Sequence, residues 1–290
     1  MKEAVLLTGA TGFLGSYLLK KMLDEDFDVV VLKRTTSNTS RIKSLLPQLQ
    51  SYDIDIITPE KIFRENKIDI ILHAATDYGR KENSPLNIIN ANLILPLMLL
   101  HEGMKHGIKA FINTDTMIDK HVNHYSLSKA QFREWLKTYS GCLACVDVAL
   151  EHFYGPYDDK TKFTSHIISS FLKEVPVINL TKGEQKRDFI YIDDVIDAFM
   201  LIIKSIFNSS FGLERFEIRS GINITIKDFV ILVQKITNNK TTRLNFGALP
   251  YREHEQMESK VNLTNMMSLG WKPKITLKEG LAITIEQEKK

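Results

Sequence analysis

Cysteine is nearly absent from this chain, with two in 290 residues, Cys142 and Cys145. That excludes a disulfide scaffold, and two thiolates alone cannot close a tetrahedral zinc site. The pair forms a C-x-x-C in the apolar stretch 142–150, so core packing within a strand is the expectation and no metal is expected. Long apolar runs are missing as well. The longest, residues 93–100, is far short of the roughly 20 residues that cross a bilayer, so no membrane partner is expected. No block of five like charges occurs, and the formal net charge is only +3. Such interleaving argues against nucleic acid and acidic lipid as partners and leaves small anionic ligands open. Internal repeats and low-complexity tracts are also lacking. Met1-Lys2-Glu3 passes straight into an apolar strand without the pattern of a secretory leader, so the expected location is the cytoplasm. With 43% hydrophobic and 25% charged residues, the chain can bury a full core.

Apolar strand-like runs are present at 4–8, 29–32, 54–57, 68–74, 110–113 and 143–149, with helical segments between them. Continuous Val/Ile/Leu runs separated by helices predict an α/β fold, a doubly wound parallel (Rossmann) sheet covered on both faces. Pro96 is expected to start or kink the helix around 92–105. After Leu150 the pattern breaks into short strands and helices. The expected division is a dinucleotide-binding domain over 1–155, with the chain returning to it at about 186–228. A smaller mixed α/β lobe is expected over 156–185 and 229–290.

The first strand runs directly into three glycines, Gly9, Gly12 and Gly15. In a strand-turn-helix context, Gly9 permits the tight turn, Gly12 lets backbone N–H groups approach a pyrophosphate, and Gly15 lets the helix pack on the strand. A glycine turn that binds nothing is the alternative. The strand before it and the apolar-faced helix from Ser16 favour a dinucleotide.

The second strand ends in Lys33-Arg34, followed by Ser37. An acidic residue there would accept from the 2′-hydroxyl of NAD but would repel a 2′-phosphate. Two cations instead favour NADP(H), since a charge-assisted contact to phosphate is worth roughly 1.5–3 kcal/mol. NAD stays the alternative if these residues form only a solvated basic turn.

Tyr125 and Lys129 stand one helical turn apart, on one face. A nearby ammonium can lower a phenol's pKa toward working pH. The same spacing recurs at Tyr17 and Lys21, but on the first helix, behind the glycine turn. Tyr125 follows the fifth strand, at the carboxyl edge of the sheet where such ligands bind.

Taken in order, the motifs resemble the extended short-chain dehydrogenase/reductase family, in particular its nucleotide-sugar epimerases, dehydratases and 4-ketoreductases. The residues that carry the likeness are Thr8-Gly-Ala-Thr-Gly-Phe-Leu-Gly15, Asp53-Ile54, His73-Ala-Ala-Thr76, Asn92, Thr114-Asp-Thr116, Tyr125-x-x-x-Lys129, Tyr154-Gly-Pro156, residues 187–194 and Leu269-Gly-Trp-x-Pro273.

The resemblance implies cofactor contacts at Gly9, Thr11, Gly12, Phe13, Leu14, Gly15, Lys33, Arg34, Asp53, Ile54, Ala74 and Ala75. It implies Tyr125 as general acid or base and Lys129 on the nicotinamide ribose. Thr116 is expected to hold the reacting oxygen, although aligning on the Thr-Asp pair gives Thr114. Thr76, His152, Arg187 and Arg252 would contact a nucleotide-diphosphate sugar, Arg187 at its diphosphate or ribose and Arg252 as a second, bidentate clamp on its phosphates. For Arg252 a surface ion pair with Glu253 or Glu255 is the alternative, and for His152 a core position. Asp193 and Asp194 are expected to cap the helix that follows.

Two departures narrow the activity. The Asp-Glu that 4,6-dehydratases carry after their threonine is missing, which disfavours dehydration. Glu151-His152 stands where many relatives have asparagine. The leading expectation is an NADPH-dependent 4-ketoreductase of a nucleotide-linked 4-keto-6-deoxyhexose, similar to abequose and paratose synthases. An NAD-retaining 4-epimerase and a non-catalytic NADP(H) sensor are the alternatives. The resemblance also implies a homodimer through the helices containing 92–105 and 125–137, where Leu97, Leu100, Met104, Phe132 and Leu136 either form an apolar face or, as readily, pack inward.

Overall fold

Strand β1 (Ala4–Thr8) is buried along its whole length, as an apolar strand covered on both faces must be. It opens a regular alternation of strands and helices in a computed structural model that describes residues 2–80, 84–206, 212–252, 255–258 and 262–289. After β1 come α1 (Phe13–Asp24), β2 (Asp28–Lys33), β3 (Gln50–Asp53), α2 (Pro59–Glu65), β4 (Ile70–His73), α3 (Pro85–Ile89) and α4 (Leu95–Lys105). Next are β5 (Ala110–Thr116), α5 (His124–Tyr139) and β6 (Ala144–Leu150), then β7 (His152–Tyr154), α6 (Phe163–Leu172), β8 (Val177–Leu180), β9 (Lys186–Tyr191), α7 (Ile192–Ile206) and β10 (Gly212–Ile218).

Seven strands form one sheet in the order β10-β6-β5-β4-β1-β2-β3. The strands from β3 across to β6 pair in parallel throughout. This is the doubly wound α/β sheet expected from the sequence. Strand order reverses between β1 and β4, and open sheets of this kind bind ligands beyond the carboxyl ends of the strands at that point. The core on one sheet face joins Phe111, Phe132, Leu136, Leu99 and Leu100.

By contacts the chain divides into Met1–Leu150 with Ala198–Phe216, and Glu151–Asp197 with Glu217–Lys290. In the second unit, β11 (Asn223–Thr225) runs antiparallel to β9, and β9 runs parallel to β7. Helix α8 (Ile226–Thr237), β12 (Arg243–Phe246) paired in parallel with β8, α9 (Thr264–Ser268) and α10 (Leu277–Glu288) complete it. Tyr154 of the Tyr-Gly-Pro motif is buried there and donates to the carbonyl of Leu277 at 3.2 Å.

Four expectations need correction. The third strand is not 54–57 but Gln50–Asp53, which is polar because it is an edge strand. Residues 54–57 form a turn, with Ile56 N and Ile57 N both donating to Asp53 O, while Ile54 and Ile57 pack on the core. Cys145 is buried as expected, but Cys142 precedes β6 and is exposed. Leu100, Phe132 and Leu136 are fully buried, and Leu97 and Met104 pack against the same cluster, so the five do not form an outer face. Asp194 does not cap α7. Its carboxylate accepts from Lys274 N at 2.9 Å and Ile275 N at 3.0 Å, pinning the segment before α10. Pro96 sits in the first turn of α4, behind a wider π-helical turn at Asn90–Ile94.

Candidate active site

The opening turn is shaped by backbone crowding. Gly9 has φ +73, and a Cβ there would lie 2.6 Å from backbone atoms of both Ala74 and Ala75. A Cβ at Gly15 would overlap the Gly9 carbonyl oxygen and approach its carbon to 2.6 Å. The turn closes with Gly12 N donating to Gly9 O at 2.9 Å. Gly12 caps α1 without a side-chain hydrogen bond, so the first N–H groups of the helix are left for an anion. Phe13 and Leu14 are buried beneath the turn, and Thr11 is half-buried. Thr8 Oγ1 ties the neighbouring strand end, accepting from Ala75 N at 3.1 Å and meeting His73 Nδ1 at 2.9 Å. Ala74, Ala75 and Thr76 follow β4 at this edge, each half-buried. A cradle that any Cβ would fill, at a helix N-terminus without a side-chain cap, fits a dinucleotide pyrophosphate.

At the end of β2, Lys33 forms an ion pair with Asp53 of β3, and Ile54 N donates to Lys33 O at 2.9 Å. Arg34 is exposed in a turn closed by Ser37, whose hydroxyl accepts from Arg34 N at 3.0 Å. Of the two cations, Lys33 is therefore already engaged by a carboxylate.

The acid-base residues gather at the ends of β5 and α5. An Asn123 capping box with Ser126 starts α5 just before Tyr125. The Thr116 hydroxyl neighbours the Tyr125 phenol, and Ile118 N donates to Thr116 Oγ1 at 3.2 Å. Thr114 faces differently: its hydroxyl donates to His73 O at 3.1 Å, while its carbonyl accepts from Lys129 Nζ at 2.8 Å. Lys129 is fully buried, and the other two N–H bonds of its ammonium find no acceptor among the described residues. Burial lowers its pKa to about 8, against the pull of the Asp115 and Asp147 carboxylates. Burial pushes the Tyr125 phenol well above its ordinary range, and Tyr78 adds to this. The nearby Thr116 hydroxyl and the Arg80 charge oppose it.

Sequence reasoning missed three features here. Asp115 is paired with Arg133 and, at 2.8 Å, with Arg215, which also pairs with Asp147. Asn113 Nδ2 donates to the same Asp147 at 2.9 Å. Burial pushes both carboxylates upward, but the guanidinium groups hold Asp115 low, while Asp147, next to Asp115, rises to about 7. Tyr78 packs its ring on that of Tyr125, with Arg80 against Tyr78. Asn92, in the π-turn, ties the Asp77 backbone to Ser128 of α5. Charged residues inside otherwise apolar strands were the available signal for the first of these.

In the second unit His152 is half-buried on β7, its Nδ1 3.4 Å from Glu151 and its ring 5.4 Å from that of Phe189. Glu151 in turn pairs with the fully buried Arg219. Arg187, on β9, pairs with Glu255 and donates to Gln256 O at 2.6 Å and Lys186 O at 2.7 Å. Arg252 is exposed, and Glu253, one partner considered for it, lies outside the described residues. The other, Glu255, is engaged by Arg187.

Residues 5–211 match the NAD dependent epimerase/dehydratase family. The chain belongs to that family. It is accordingly an NAD(P)-dependent enzyme, with the glycine turn and the Tyr-x-x-x-Lys pair inside the matched region. The chain is 32% identical over 290 residues to CDP-abequose synthase of Salmonella typhimurium, covering 97% of each. It is 27% identical over 266 residues to the CDP-abequose synthase of Yersinia pseudotuberculosis, covering 87% of this chain and 90% of that one. Among solved structures, UDP-glucose 4-epimerase of Thermotoga maritima superposes with a TM-score of 0.85 at 24% identity, covering 98% of both chains. UDP-glucuronic acid 4-epimerase of Bacillus cereus, solved with UDP-glucuronic acid and NAD, gives 0.85 at 22% identity over 98% of both. These last two share the family fold. No described helix is long and apolar enough to cross a membrane.

Proposed function

We propose that this protein uses NADPH to reduce the C4 keto group of a nucleotide-linked 4-keto-6-deoxyhexose, in the cytoplasm, for surface polysaccharide sugars. The observation that carries this is the Thr116 hydroxyl beside the Tyr125 phenol, with Lys129 one turn along the same helix. A half-buried phenol kept above its usual range stays protonated, the form a ketone needs from its proton donor. Thr116 orients the carbonyl oxygen, and Tyr125 gives it a proton. Lys129, anchored on Thr114 O, turns its remaining N–H bonds to the nicotinamide ribose. When bound, the reduced nicotinamide supplies the hydride.

The full-length likeness to CDP-abequose synthases supports a CDP-linked substrate. We assign the nucleotide sugar to residues 156–185 and 229–290, with His152 and Thr76 as further contacts. Arg187 and Arg252 take its diphosphate, Arg187 exchanging the Glu255 carboxylate for phosphate oxygens. On the adenosine side Arg34 and Ser37 take the 2′-phosphate. A homodimer is proposed through the outer sides of α4 and α5, where Met98 and Trp135 are each 48% exposed.

The test is to incubate the protein and NADPH with CDP-, dTDP-, GDP- and UDP-linked 4-keto-6-deoxyhexoses and follow nicotinamide absorbance. Oxidation with one of them is expected. The Lys33–Asp53 ion pair favours a second possibility, a 4-epimerase that keeps NAD, because it leaves one cation fewer for a 2′-phosphate. Protein purified with stoichiometric NAD, interconverting 4-epimers without added NADPH, would establish the epimerase instead.

A further inference from the structure

Tyr78 and Arg80, which belong to no family motif quoted above, stand against the acid-base phenol. The rings of Tyr78 and Tyr125 lie 5.0 Å apart, inclined at 45°, and the Arg80 guanidinium carbon lies 4.9 Å from the centre of the Tyr78 ring. Arg80, Tyr78 and Tyr125 thus form a chain of contacts, with the cation no more than about 10 Å from the Tyr125 ring.

The loop that carries them is held at several points. The Asn92 side chain accepts from Asp77 N at 2.9 Å and donates to Asp77 O at 2.8 Å. The Asp77 carboxylate accepts from Gly79 N at 2.8 Å. Gly79 itself has φ +66, and a Cβ there would lie 2.7 Å from Ile88 Cδ1. The same Asn92 amide donates to Ser128 Oγ at 3.0 Å, on the helix that bears Tyr125 and Lys129. One side chain therefore sets the loop and the catalytic helix in register.

We propose that Tyr78 and Arg80 are positioning residues for Tyr125: Tyr78 walls its ring, and Arg80 supplies the positive field in which the phenolate forms. This rests on Tyr125 being the proton donor. In that step the carbonyl carbon takes a hydride with its electron pair from the reduced nicotinamide, while the Tyr125 O–H bond breaks and its proton passes to the carbonyl oxygen. The phenolate left behind regains a proton from solvent. Lys129 is buried and committed to Thr114 O, whereas Arg80 approaches the phenol from the loop side through Tyr78. Other charged or titratable groups around Tyr125 are Tyr78 on the loop, Asp115 on β5 and Lys129 on α5.

A unit charge at that distance shifts a phenol's midpoint by about 0.3 to 1 pH unit, between the screening of water and that of a protein surface. The experiment measures the tyrosinate absorbance of Tyr125 against pH in NADP+-loaded protein, as the difference from the Tyr125→Phe form of each variant. It also measures kcat and KM with the 4-ketosugar turned over fastest. Arg80→Gln is expected to raise the midpoint by that amount and lower kcat about two- to tenfold with KM for NADPH unchanged, and Arg80→Lys to restore most of both. Tyr78→Ala is expected to lower kcat more than Tyr78→Phe, which keeps the wall. An unchanged kcat and an unmoved midpoint in Arg80→Gln, in protein where Tyr125→Phe abolishes turnover, overturn this proposal alone. Turnover surviving in Tyr125→Phe overturns the functional assignment beneath it.

Discussion

Replacing Thr116 and Thr114 separately by valine distinguishes two hydroxyls that lie two residues apart on one strand. Valine keeps the shape and removes only the hydroxyl. At Thr116 it removes the hydroxyl beside the Tyr125 phenol, which is also the acceptor for Ile118 N at 3.2 Å. If the same hydroxyl also holds the substrate oxygen as charge develops, the lost interaction is charge-assisted and worth roughly 1.5–3 kcal/mol. With about 1.4 kcal/mol per factor of ten, kcat should fall about 10- to 150-fold. At Thr114 the lost bond runs to the His73 carbonyl at 3.1 Å and is structural. It should cost about 1 kcal/mol of stability, seen as a Tm lower by a few degrees. The Thr114 carbonyl that anchors Lys129 is untouched by this change. Thr114→Val should therefore turn over within about twofold of wild type. The assay is nicotinamide absorbance under saturating NADPH, alongside thermal unfolding of both variants. A large loss in Thr114→Val with Thr116→Val nearly normal would refute the assignment of Thr116 as the orienting hydroxyl.

Gly15→Ala forces a methyl into the Gly9 carbonyl, which is backbone and cannot swing aside. The expected result is a lower Tm and loss of NADPH binding by fluorescence titration. Gly12→Ala, with its Cβ 3.2 Å from the same oxygen, should be milder. Lys129 has a pKa of about 8 in the folded chain against 10.5 ordinarily, so below pH 8 both folded and unfolded chains hold its proton and the fold bears the full cost of burying the charge. Between those values only the unfolded chain keeps the proton. Urea unfolding should then show the stability advantage of Lys129→Met over wild type shrinking by about 3 kcal/mol as pH rises from 7.5 to 10.5. Arg219→Met leaves Glu151 buried without its cation and should cost about 3–5 kcal/mol of stability by urea unfolding. A loss below about 1 kcal/mol would show that the pair does not hold the second unit together.

The glycine turn and the buried strands were legible because their signals are local. Gly12 and Gly15 are constrained by contacts within the turn itself, with only Gly9 pressed by the end of β4, and apolar runs such as 4–8 and 70–73 can only be interior. Residues 54–57 misled for the same reason. Ile54 and Ile57 are apolar because they plug the core from a turn, while the true edge strand beside them is polar. What escaped were partnerships across the fold. Asp115 and Asp147 meet Arg215 from a strand about 70 to 100 positions later, and no periodicity relates them. Lys33 reads as a free cation until β3 brings Asp53 beside it. Arg187 likewise reads as a ready clamp, yet Glu255 holds it. Tyr78 meets Tyr125 only because the π-turn places Asn92 between their segments.

A crystal structure of the protein with NADPH bound tests the central claim most directly. The Tyr125 hydroxyl should stand beside the nicotinamide, within about 3–4 Å of where a C4 carbonyl oxygen would sit, with Lys129 Nζ on the adjoining ribose and the pyrophosphate on the Gly9–Gly15 turn. A phenol turned to bulk water, or a dinucleotide seated away from that turn, would contradict it.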